Sequence, residues 1–277
     1  MKFALKTTAW IGLAALTGGV PSLAQLRDNS EKTMTCQNGG GDRDRARHCD
    51  IREQTLPSMG RLSVDSSPNG GLTVKGWLRG DVLVRTRVDA SADTEAAAAN
   101  LASQVVINTG SGEVHATGPS SGNNAWWSVS YEIFVPQTSD LNLKTVNGGI
   151  VVSDVRGQIH FDAVNGGVTL RRLAGDVGGA TVNGGITAEL TGAIWEGQKL
   201  EVRTQNGGVT LKAPSYYSAH VQAETGSGGI HSDFASPADN NNNTRSRQLD
   251  FNIGSGGPLI HVTTNNGGIS FKRTDAQ

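Results

Sequence analysis

The stretch Asn147-Gly-Gly-Ile-Val-Val-Ser-Asp-Val155, Arg156-Gly-Gln-Ile-His-Phe-Asp-Ala-Val164, Asn165-Gly-Gly-Val-Thr-Leu-Arg-Arg-Leu173, Ala174-Gly-Asp-Val-Gly-Gly-Ala-Thr-Val182 lines up in blocks of nine. A further block opens with Asn183-Gly-Gly-Ile-Thr-Ala188. Asn147, Asn165 and Asn183 are therefore 18 residues apart, and Asn206-Gly-Gly follows 23 later, after an insertion around Gly192 to Gly197. Looser copies begin at Ser227, Ser255 and Asn266, and an early one at Asn69.

Residues alternate inside these blocks. Ile150 and Val152, Val168 and Leu170, Ile186 and Ala188, Val209 and Leu211, and Ile269 and Phe271 are expected to point one way. Val151, Thr169, Thr187, Thr210 and Ser270 lie between them and are expected to face water, the period-two pattern of half-buried strands. Asn-Gly between alternating strands is also a hairpin signal, so a β-meander or sandwich competes. Blocks that match in phase at one spacing favour a solenoid, in which like residues stack on like. The expected fold is all-β: a single-stranded parallel β-solenoid with 18-residue coils of two short strands, wound as a right-handed β-helix because parallel crossovers are overwhelmingly right-handed. Asn147, Asn165, Asn183 and Asn206 would then form an amide ladder along one corner. The Gly-containing turns are expected to supply positive φ.

The flanks set the compartment and the boundaries. Residues 1–24 carry Lys2 and Lys6, an apolar run from Ala9 to Leu16 and the small-x-small end Ser22-Leu23-Ala24, the layout of a secretory signal peptide. The apolar run is far shorter than the ~20 residues of a transmembrane helix, so no membrane span is expected after cleavage. Residues 25–58 are polar and charged and read as a loop-rich N-terminal cap; residues 59–277 read as the solenoid domain, with regular coils at about 143–212. Cys36 and Cys49, the only two cysteines, are expected to form one disulfide in an oxidising compartment, worth roughly 3 kcal/mol by loop-closure entropy. Asp93 to Ser103 is alanine-rich with acids in its first turn and reads as the one helix. Glycine supplies 37 of 277 residues but in pairs, which excludes collagen, and the low charged fraction of 18% excludes a disordered tail. Net charge is −1, or −3 without the leader's two lysines (22 basic against 25 acidic), so nucleic acid is not an expected partner.

Tyr131-Glu-Ile-Phe-Val-Pro136, then Asp140-Leu-Asn-Leu-Lys-Thr-Val-Asn-Gly-Gly149, followed by repeated Asn-Gly-Gly blocks, resembles the DUF4097 family of bacterial β-strand-repeat proteins described as candidate adhesins. The resemblance runs from about Leu62 to Arg273. It implies an exported or envelope-associated β-solenoid with no established catalytic residues.

Motifs with chemical potential lack the context that chemistry needs. Gly118-Pro-Ser120-Ser-Gly122 matches G-x-S-x-G, but a nucleophile elbow requires a following helix and Ala125-Trp-Trp127 starts a strand. The glycine pairs are not followed by the aspartates of calcium-binding nonapeptides. His48 beside Cys49 has no second His nearby, so no metal is expected, and no cofactor either. A pectin-active β-helix would use clustered acids and bases; His160, Asp162, Arg171, Arg172 and Asp176 are the candidates, yet their spacing does not stack a tight carboxylate pair. Trp126 and Trp127 are the possible ligand contacts, since neighbouring strand residues face opposite sides. The expected function is non-catalytic: an adhesin-like envelope or surface protein binding an unidentified envelope, glycan or protein ligand. The alternatives are a periplasmic structural or envelope-stress accessory and, more remotely, a polysaccharide-active enzyme.

Overall fold

The computed structural model describes residues 34–36, 45–122, 125–234 and 247–274. The expected signal peptide and most of the Cys36–Cys49 loop lie outside the described residues. In chain order the elements are β1 (Ala46–Pro57), β2 (Arg61–Asp65), β3 (Leu72–Trp77), β4 (Asp81–Ala92), α1 (Glu95–Ser103), β5 (Val106–Asn108), β6 (Glu113–Thr117) and β7 (Trp126–Pro136). The repeat region supplies β8 (Asp140–Asn147), β9 (Ile150–Ser153), β10 (Arg156–Asn165), β11 (Val168–Arg171), β12 (Ala174–Asn183), β13 (Ile186–Glu189), β14 (Lys199–Asn206) and β15 (Val209–Pro214). Last come β16 (Ala219–Ser227), β17 (Ile230–Ser232), β18 (Gln248–Ile253), β19 (Leu259–Asn266) and β20 (Ile269–Thr274).

These strands build two ten-stranded sheets: sheet A in the order β1-β4-β7-β3-β9-β11-β13-β15-β20-β17, and sheet B in the order β5-β6-β2-β8-β10-β12-β14-β19-β16-β18. Each coil places a longer strand in sheet B and then a shorter one in sheet A, ten residues in β10 against four in β11. The 18-residue period is thus divided unequally between the two sheets. Ile150, Val152, Val168, Leu170, Ile186, Ala188, Val209 and Leu211 from sheet A are buried against Leu143, Ile159, Phe161, Val177, Leu200 and Val202 from sheet B. Val151, Thr169, Thr187, Thr210 and Ser270 are half-exposed on the outer face of sheet A.

The coils at both ends are stacked out of sequence. β2 and β3 lie between β6/β7 and β8/β9, while β19 and β20 lie between β14/β15 and β16/β17. The first and last coils in sequence are therefore held on both sides, so neither can fray without breaking two interfaces. Antiparallel strands form three of the four sheet edges, β4 and β1 on sheet A and β5 and β18 on sheet B, while the remaining edge of sheet A is β17, parallel to β20. Residues 46–57, expected within a loop-rich segment, form strand β1, because Leu56 packs on the core and β4 offers a full antiparallel edge. Cys36 and Cys49 are joined by a disulfide, with Cα atoms 5.8 Å apart.

Helix α1 starts at Glu95 rather than Asp93, since Thr94 is extended (φ −133°) and its hydroxyl accepts from the Ala97 N–H at 3.2 Å as an N-cap. Its Ala98 and Ala102 are buried, and Arg52 donates to the Ala102 and Val105 carbonyls at its C-terminal end. On the outer face of sheet A, Glu132 and Arg85 are buried together: Arg85 Nη1 lies 2.8 Å from Glu132 Oε2, and Lys75 Nζ lies 2.8 Å from Glu132 Oε1. Glu53 holds the Arg85 Nε at 2.6 Å. Burial is the largest single influence on the arginine and acts to lower its pKa, but the two carboxylates together outweigh it and raise the pKa.

Candidate functional site

Two regular features organise the surface. At one corner, Asn165 Nδ2 donates to Asn147 Oδ1, Asn183 to Asn165 and Asn206 to Asn183, all at 2.8–2.9 Å. The same line continues to Asn69 at one end and Asn266 at the other, each bond 2.9 Å. Behind it runs a second, buried line that the sequence analysis passed over. Thr145, Thr181, Thr204, Thr225 and Thr264 each donate a hydroxyl hydrogen bond to a glycine carbonyl of a neighbouring coil. The signal for it is a threonine two residues before the asparagine or its Ser227 counterpart; β10 has Ala163 there instead.

The first glycine after each asparagine is required by close stacking. A Cβ on Gly148, Gly166 or Gly184 would sit 2.0–2.1 Å from the preceding coil's glycine carbonyl oxygen. None of these three has left-handed backbone, contrary to expectation. Left-handed conformation appears instead at Asp154 (φ 60°) and Arg172 (φ 50°), where the chain leaves sheet A, and their side chains pair bidentately at 2.6 and 2.7 Å.

Sheet B carries a groove of about 690 Å³ on its outer face. Its floor is β12, where Gly178 and Ala180 point outward between two walls of long side chains. The β10 wall is Gln158, His160 and Asp162; the β14 wall is Lys199, Glu201 and Arg203. Asp140, Asn142 and Arg61 extend the first wall across β8 and β2, and Asp176 stands at one end of the floor. The trough has this shape because outward side chains in register are about 4.8 Å apart between strands, and one strand of three lacks them.

Gly178 has no role in packing. Among the strand glycines described, a Cβ at Gly76, Gly157, Gly175, Gly179 or Gly226 would come within 1.8–2.9 Å of a neighbour, whereas at Gly178 it meets nothing closer than the Glu201 carbonyl oxygen at 3.6 Å. Gly179 leaves room for the Phe161 ring, but Gly178 leaves room only for solvent or a ligand.

The walls are internally paired. His160 Nε2 lies 3.1 Å from Asp162 Oδ2, and Lys199 Nζ lies 2.9 Å from Glu201 Oε2, with Arg203 on the other Glu201 oxygen. The Lys199 hydrogen bond is the main cause holding the Glu201 carboxyl below its ordinary pKa. Of the proposed enzymatic residues, His160, Asp162 and Asp176 do line one groove. Arg171 and Arg172 do not: Arg171 faces Glu189 and Arg172 pairs with Asp154.

Trp126 and Trp127 lie at the start of β7 in sheet A, away from this groove, and both are half-buried. Trp127 Nε1 donates to the Pro119 carbonyl at 2.7 Å, and the Arg47 guanidinium lies 5.8 Å from the Trp126 ring centre. Trp77 and Trp195 are buried, and their ring N–H groups donate to the Asp81 and Gly175 carbonyls. Ser120 sits in the connection between β6 and β7, with a strand and not a helix after it. Among the described residues, no group of three or more His, Cys, Asp or Glu is placed to hold a metal ion, and no helix is long and apolar enough to cross a membrane.

No curated protein matches the chain in sequence. Among solved structures, it is similar to a candidate cell adhesion protein from Clostridium sporogenes (13% identity, TM-score 0.41, covering 82% of this chain and 100% of that one). It is also similar to a candidate adhesin from Bacteroides fragilis (12%, TM-score 0.33, 82% and 97%) and a candidate lipid-binding protein from Parabacteroides distasonis (11%, TM-score 0.32, 81% and 96%). The Toastrack DUF4097 family model matches residues 62–272, most of the length, and the chain belongs to that family.

Proposed function

We propose that this protein is an exported, non-catalytic, adhesin-like binding protein of the cell envelope that presents the outer face of sheet B to its ligand. The observation that carries this is the groove over Gly178 and Ala180, a concavity on a rigid sheet whose floor glycine has no packing role. The disulfide supports export, because such bonds persist in oxidising compartments. The right-handed winding belongs to the same reading, from the preference of parallel crossovers.

Protease shaving of intact cells that express the protein, with a lysed control, tests it. Cleavage on whole cells is expected. Protection until the outer membrane is opened would instead favour a periplasmic accessory and contradict adhesion.

A further inference from the structure

Resting on that reading, we infer that the groove binds a neutral, hydroxyl-rich polymer, an uncharged polysaccharide, laid lengthwise over β12. The groove volume of about 690 Å³ falls in the range of small-molecule sites, and its two walls run alongside β12 in register. Its charges are nearly balanced, which argues for an uncharged ligand. The walls and ends carry Arg61, Lys199 and Arg203 against Asp140, Asp162, Asp176 and Glu201, three positive against four negative groups. These charges nearly cancel, and Lys199 and Arg203 are both paired with Glu201, so neither a polyanion nor a polycation finds a strong field of opposite sign there. Donors and acceptors nevertheless alternate along both walls: His160 with Asp162, then Lys199, Glu201 and Arg203. Alternating charged donors and acceptors suit hydroxyl groups, each of which both donates and accepts. The floor of glycine and alanine lets a sugar ring approach the backbone at Gly178, where every other residue type would intrude.

The test is binding of the purified full chain to an array of neutral glycans, with polygalacturonate and heparin as anionic controls, at low and at about 0.5 M salt. The variants are Gly178→Ala and Gly178→Val, checked by circular dichroism and thermal melting, with Thr187→Val on sheet A as a control. The expected result is a neutral glycan bound equally at both salt concentrations. Binding should weaken at least tenfold in a folded Gly178→Val, weaken less in Gly178→Ala, and persist in Thr187→Val. Retained binding by folded Gly178→Val overturns the groove while leaving a binding protein standing. Binding only to the anionic polymers and only at low salt overturns the ligand class. Binding to no neutral glycan overturns the inference as a whole; the wider proposal is then judged separately by surface exposure on cells.

Discussion

Asn165 donates its side-chain amide to Asn147 Oδ1 at 2.9 Å across 18 residues of sequence, while its own oxygen accepts from Asn183 at 2.8 Å. Each amide thus satisfies its neighbour, and the register of the coils is fixed at that corner. Removing the middle of the line breaks two exposed hydrogen bonds. Asn165→Ala is expected to lower unfolding free energy by about 1–2 kcal/mol, measured by urea denaturation with an unchanged m-value.

Glycines of the corner and of the groove should respond oppositely. Gly166→Ala forces a Cβ to 2.0 Å from the Gly148 carbonyl oxygen, and because the obstacle is backbone it is expected to cost about 3 kcal/mol or more. Gly178→Ala meets only ordinary contact and is expected to be neutral or to stabilise by about 0.5–1 kcal/mol. Thermal melts of the two variants side by side check the contrast.

Ala163 interrupts the buried threonine line between Thr145 and Thr181, with which it pairs in register. In Ala163→Thr the new hydroxyl is placed to donate to the Gly148 carbonyl, as Thr181 does to Gly166. A gain of about 1 kcal/mol is expected in denaturant titration.

Glu132 is buried between Lys75 and Arg85. Glu132→Ala leaves the buried Arg85 and the half-buried Lys75 without that partner and is expected to cost about 3–5 kcal/mol, although Glu53 still reaches Arg85. The exposed pair of Asp162 and His160 should be nearly silent when broken by Asp162→Asn, within about 1 kcal/mol.

Acid should release part of the β14 wall. Glu201 has a folded pKa below its unfolded one, so its contribution is present above the unfolded value of about 4.3 and is lost as pH falls through the folded value. Glu201→Gln is therefore expected to be less stable than the parent at pH 7, with the gap narrowing as pH falls below the unfolded value. A constant gap in urea midpoint would show that Glu201 acts by packing alone.

Much of the coil was legible from the sequence, because inward residues such as Val168 and Leu170 repeat at a local period and one parity. The buried threonines were missed although their parity was available: Thr145 alternates in phase with Leu141 and Leu143, but a hydroxyl suggests the outer face. The end coils were not. Whether β19 docks on β14 or on the far side of β16 depends on which sheet edge remains open when the chain returns, and no local pattern encodes that. The groove was half legible. His160, Asp162 and Asp176 stood out as chemistry-bearing residues, but Lys199, Glu201 and Arg203 join them only through the β12–β14 register across an insertion. Gly178 was hidden among 37 glycines, since only neighbouring coils show which ones packing requires.

The most direct test of a ligand-binding outer face on sheet B is a comparison of face-blocked variants. Labelled protein would be applied to immobilised envelope glycans and surface proteins as the parent chain, as Ala180→Arg on sheet B, and as Thr169→Arg with Thr187→Arg on sheet A. A binding face on sheet B predicts that capture is lost with Ala180→Arg and kept in the sheet A variant, with all three folded. Capture that survives Ala180→Arg and disappears with the sheet A substitutions would contradict it.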